Sequence, residues 1–137
     1  MTGADLATAA LTLVGTPFRL HGRDPASGLD CIGVLEAALA RAGRPARLPN
    51  GYPLRARRLP DLQRTTAMLG LNEADGALIP GDVVMLRVSP CQLHLAIAIS
   101  PMTAVHAHAG LRKVALAPLP PEWLRVAHWR LSPHSRN

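Results

Sequence analysis

Apolar residues recur at helical spacing twice in the first third of the chain, then at every second position through most of its second half. Leu6, Ala10, Leu13 and Val14 form one helical stripe within 4–14, which Gly15 ends. Ile32, Leu35, Ala38 and Leu39 form another, from Asp30 to about Ala42. Asp30 stands where an N-cap belongs, and Gly43 with Pro45 closes the helix. The intervening "GTPFRLHGRDPASG" reads as turn and loop. Residues 43–60, dense in proline and arginine, predict a long surface loop, and 61–70 a short helix. After "PGD" at 80–82 the period changes to two. "VVMLRV" (83–88), "LHLAIAIS" (93–100), "AVHAHA" (104–109) and "LRKVAL" (111–116) predict strands, with a last one through "WLRVAHWRL". Helices first and an antiparallel meander of about five strands after them make an α+β fold, in a single domain spanning 1–137.

The alternation also sorts the chemistry. In "LHLAIAIS", Leu93, Leu95, Ile97 and Ile99 share one face; His94, Ala96, Ala98 and Ser100 share the other. This second face is nearly flat, so a helix is expected to lie against it and bring its N-terminus to His94. The next strand puts Ala104, His106 and His108 together. Paired as a hairpin, the strands oppose His94 to His106 if the turn centres on Ser100, and to His108 if it centres on Pro101. Parity permits a relay of two histidines without choosing the second.

Cys31, directly after Asp30, opens the second helix. Unpaired backbone N–H groups and the helix dipole stabilise a thiolate there and lower its pKa. A nucleophilic cysteine further needs a base and a group that orients the base. Four alternatives stand: an inert buried thiol, a nucleophile, a disulfide with Cys91, or a zinc site built on His94, His106 and His108 with a cysteine added.

The chain has 137 residues, 48% of them hydrophobic, and a formal charge of +6. That suits a globular domain whose core is aliphatic, since it holds one Phe and one Tyr. Seven arginines (41, 44, 47, 55, 57, 58 and 64) lie within 24 residues. They read as a solvated basic face, or as a surface for an anionic polymer or acidic partner. Nucleic acid is not expected, because no aromatic residues interleave with the arginines to stack on bases. No run approaches the roughly 18 apolar residues of a membrane span. "MTGADLATAALTLVG" lacks a basic start and carries Asp5, so cytoplasmic synthesis without a signal peptide is expected. Two cysteines then read as thiols.

"GTPFRLHGRDPASGLDCIGVL", "PGDVVML", "HLAIAIS" and "AVHAHAGLRKV", taken in order over residues 4–117, resemble the NlpC-type cell-wall cysteine endopeptidases. That family's blocks are G-x-P-Y, a Gly-rich loop, D-C-S-G, P-G-D, H-V-G-I and I-H-A. The resemblance implies a papain-like fold and hydrolysis of peptidoglycan stem peptides, at the D-glutamyl–diaminopimelate bond, with no cofactor and no metal. It implies Cys31 as nucleophile, His94 as base and His106 as the ring-orienting third member. It makes Asp30 a recogniser of the stem's free amine. Ile32 replaces the family's serine and Phe18 its tyrosine, both at positions expected to meet substrate. The loop from Phe18 to Cys31 is longer and carries His21 and Arg23. With no export signal, the expected setting is a phage-tail or gene-transfer particle that opens the wall locally. The alternative is a tail or wall-binding module of the same fold without useful activity.

Overall fold

The computed structural model describes residues 1–48 and 62–132. Helix α1 spans Gly3–Leu11 and begins with a reciprocal cap: Asp5 N–H donates to Thr2 Oγ1 (3.2 Å) and Thr2 N–H to Asp5 Oδ2 (2.8 Å). A two-stranded hairpin comes next, β1 (Arg23–Asp24) with β2 (Gly28–Leu29), inside the segment expected to be loop. Helix α2 covers Cys31–Arg41, capped by Asp30, whose Oδ1 accepts from the Gly33 N–H at 2.8 Å. Helix α3 is Gln63–Met68. The loop expected over 43–60, and with it Arg55, Arg57 and Arg58, falls largely on 49–61, outside the described residues.

Six strands, rather than about five, form one antiparallel sheet. They are β3 (Leu71–Glu73), β4 (Val83–Ser89), β5 (Gln92–Ala98), β6 (Thr103–His108), β7 (Lys113–Pro118) and β8 (Leu124–Leu131), in the order β3-β8-β4-β5-β6-β7. The extra strand, β3, is three residues long, too short for its alternation to show in the sequence.

Both faces of the sheet are covered. Val83, Met85, Leu93, Leu95, Ile97, Val105 and Trp129 share a core with Leu6 of α1, with Leu13 just after it, and with Ile32, Leu35 and Leu39 of α2. On the other face Val84, Leu86, Ala96, Ala98 and Ala104 pack with Leu78, Val88, Leu119 and Trp123. The helix therefore takes the Leu/Ile face of β5, not the flat Ala face that carries His94. Burying a Leu or Ile side chain contributes about 1.5–3 kcal/mol, several times what an alanine offers, so α2 follows the bulk. The shallow face is closed by short segments instead.

The ladder between β5 and β6 breaks off early. β4 pairs with β5 along its whole length, and β6 with β7. Between β5 and β6 only Ile97↔Val105 and Ala98↔Ala104 pair, next to the Ile99 N–H···O=C Thr103 bond at the turn. This register centres on Pro101. From there toward Gln92 the two strands part.

The "PGD" turn anchors the opposite half of the sheet. Asp82 is fully buried, and its carboxylate accepts from Arg130 Nε and Nη2 (both 2.9 Å), His128 Nε2 (2.6 Å) and the Ile79 N–H (3.1 Å). This ties the turn before β4 to β8. Gly81, at φ 90, lets the same turn press against the backbone of Gly3, where a side chain would collide.

Candidate active site

Cys31 is the first residue of α2, and the N-terminus of that helix lies where β5 and β6 part. A continued ladder would spend the Leu95 N–H on the carbonyl of Ala107, as the register of the two formed pairs shows. Instead the backbone N–H groups of Leu95, Ile32 and Cys31 itself favour the charged form of the Cys31 thiol. The thiol comes from the α2 face of the sheet and the histidines from the other. They line one cleft of about 410 Å³ at the parting, together with Phe18, Asp30, His108 and Trp123.

His94 Nε2 lies 2.9 Å from His106 Nδ1, and this hydrogen bond joins the two rings. The turn at Pro101 would set His94 opposite His108 in a regular ladder. Because the ladder stops, His94 reaches its diagonal neighbour instead. His108 stays at the rim, its Nδ1 accepting the Leu111 N–H at 3.1 Å, its ring 5.6 Å from that of His106.

The electrostatics differ from the expectation of a lowered thiol pKa. Burial pushes the Cys31 thiol up to about 12, against the pull of the Leu95 N–H, and the Asp30 carboxylate adds to the rise. Burial also pushes His94 down to about 3, helped by the charges of His106 and His108, and His106 down to about 4, helped by His108. Near neutral pH the resting pair is thiol and imidazole, not thiolate and imidazolium. Loss of water around the sulfur outweighs the helix terminus.

Asp30 lines the cleft but is already engaged: Oδ1 caps α2 and Oδ2 accepts the His21 N–H at 3.1 Å. Phe18, half-buried, forms part of the wall. Ile32 does not. It is 4% exposed and faces the core with Leu35, Met85 and Leu95, because one step along a helix turns a side chain by about 100°. Its side chain packs in the core and is not among the residues lining the cleft of Cys31 and the histidines. Cys91 is exposed and Cys31 buried, both as free thiols, so the disulfide alternative falls away. Among the described residues no three His, Cys, Asp or Glu side chains converge as metal ligands.

Trp123 was not foreseen. Its indole lies 5.6 Å from the His94 ring at 75° and 5.9 Å from His106 at 81°. The only signal in the sequence was its rarity, one of two tryptophans, in "PPEWLRV" just ahead of the last strand.

Neither the family models nor the curated protein sequences contain a match to this chain. Solved structures do match in shape. NlpC2 from Trichomonas vaginalis superposes with a TM-score of 0.66 at 15% identity, over 94% of this chain and 46% of that one. The NlpC/p60 domain of the peptidoglycan hydrolase SagA gives 0.60 at 19%, over 96% and 99%. An N-acetylmuramoyl-L-alanine amidase from Bacteroides uniformis gives 0.63 at 12%, over 95% and 98%. The chain spans about half the length of the Trichomonas vaginalis proteins NlpC1 and NlpC2. At these identities the likeness is one of architecture, and the chain has the papain-like α+β fold of the NlpC/p60 structures.

Proposed function

We propose that the chain is a cysteine hydrolase of peptidoglycan that cleaves stem-peptide amides, with Cys31 as nucleophile, His94 as base and His106 orienting it. The observation that carries this reading is the 2.9 Å His94–His106 bond in a cleft that Cys31 also lines. Shape similarity to peptidoglycan hydrolases supports the substrate class.

His94 Nε2 faces His106, which leaves Nδ1 as the nitrogen for the thiol's proton. Since both groups rest neutral, sulfur attacks the carbonyl as its proton passes to His94, giving a tetrahedral adduct whose C–N bond breaks to leave the thioester. The imidazolium then gives that proton to the departing amine. Water, deprotonated by His94, releases the acid and restores the thiol. Backbone N–H groups at the start of α2 meet the developing oxyanion. Asp30 and Phe18 on the cleft wall would contact the stem, and no cofactor takes part.

The bond we infer is D-glutamyl–diaminopimelate, and the setting a phage-tail-like particle acting at the wall; tail genes flanking this one are the expected finding for the latter. Digestion of purified peptidoglycan, followed by mass spectrometry of the muropeptides, tests the activity. Wild type is expected to release cut stems and Cys31→Ala none. A second reading, a wall-binding module without turnover, draws on the buried, protonated thiol. It predicts sedimentation with peptidoglycan and intact stems from both proteins.

A further inference from the structure

His106 holds the relay's least satisfied atom. The residue is 1% exposed, its Nδ1 is engaged with His94, and its Nε2 is buried with no hydrogen-bond partner among the described residues. A buried polar nitrogen left alone costs about 1–3 kcal/mol, so its surroundings need an explanation. Two rings approach it. His108 lies tilted at 39°, with its own Nδ1 held by the Leu111 N–H. Trp123 stands nearly perpendicular at 81°, the arrangement in which a ring N–H can point at an aromatic face.

We propose that the indole face of Trp123 receives the Nε2–H of His106 and thereby fixes the tautomers of the whole relay. A proton on His106 Nε2 leaves a lone pair on Nδ1. That lone pair can only accept, so His94 must carry its own proton on Nε2 and donate. His94 Nδ1 is then a lone pair, the form a base needs. The reverse tautomer of His106 would donate from Nδ1, force the His94 proton onto Nδ1 and block the step. A third member that is an amide or carboxylate has a fixed acceptor; a histidine has a choice. Trp123 makes that choice and is a positioning residue.

The tautomer lock deepens the hydrolase reading and rests on it only for its kinetic half. Long-range ¹H–¹⁵N NMR of the histidine rings at pH 7 reads the tautomers directly, with or without turnover. Wild type is expected to show Nε2–H on both His94 and His106. Trp123→Leu, which keeps apolar cover and removes the π face, is expected to give mixed or inverted tautomers. Its kcat should fall roughly five- to tenfold with KM held. Trp123→Phe should keep the tautomers and lose less. In His106→Asn the amide oxygen accepts from His94 without a tautomer choice, so adding Trp123→Leu should lower kcat no further. Nδ1–H on His106 of the wild type overturns the proposal whatever the variants do, and so does a Trp123→Leu protein with wild-type tautomers. Expected tautomers in a protein that cuts no stems would overturn the hydrolase reading and leave this one standing.

Discussion

Two buried histidines sit on the same sheet and are treated in opposite ways. His128 meets a carboxylate that also holds Arg130 and a backbone N–H, so every oxygen of Asp82 is occupied. His106 meets another histidine and an indole, and one of its nitrogens has no conventional partner among the described residues. Burial alone would raise Asp82, yet the bonds from Arg130 and His128 hold its carboxyl below the ordinary value. At the cleft burial wins, and thiol and imidazoles are all held neutral. Saturated polar groups fasten the turn before β4 to β8, whereas the under-used ones are where a proton can still move.

Substitutions should separate the two regions cleanly. His94→Ala is expected to lower kcat on peptidoglycan about 10³-fold while the melting temperature holds or rises. A matching loss of stability would erase the distinction. Asp82→Ala should do the reverse, costing about 2–3 kcal/mol in urea unfolding because the buried His128 ring and the Ile79 N–H lose their acceptor. Activity per folded molecule should be retained.

Acid sharpens the contrast further. The cleft histidines are depressed, so the unfolded chain binds their protons first, from about pH 6.5 downward. Stability should fall as pH drops from 6.5 toward about 3–4, the folded values. The Asp82 contribution stays present above its ordinary 3.8 and is lost only below it. Urea midpoints measured from pH 8 to pH 4 should therefore decline less in His94→Leu than in wild type, and equally in both if the rings are not desolvated. The smallest effect concerns Asp30, which caps α2 and holds the His21 N–H. Asp30→Ala should lower stability by about 1 kcal/mol, and Asp30→Asn by less because the cap oxygen survives.

Local rules carried most of the fold. The spacing of Ile32, Leu35, Ala38 and Leu39 placed α2, the Asp30 cap set its start, and alternation found five of the six strands of the main sheet. Parity put His94 and His106 on one face. It could not say which face α2 would cover, because that depends on the bulk of Leu93, Leu95 and Ile97 weighed against every other surface available. Nor could it show where the β5–β6 ladder stops, which decides between His106 and His108. Trp123 reaches the cleft through tertiary packing, 29 positions after His94, and periodicity has no means of registering that.

The Leu95 group that eases the Cys31 thiol's pKa downward belongs to the main chain. Any side chain that keeps the strand in place at position 95 leaves that influence intact, so the sulfur's setting tolerates sequence drift. The imidazoles have no such insurance, since each depends on the identity of its neighbour. A descendant of this chain that lost its chemistry would therefore keep a well-seated cysteine long after its histidines had turned away.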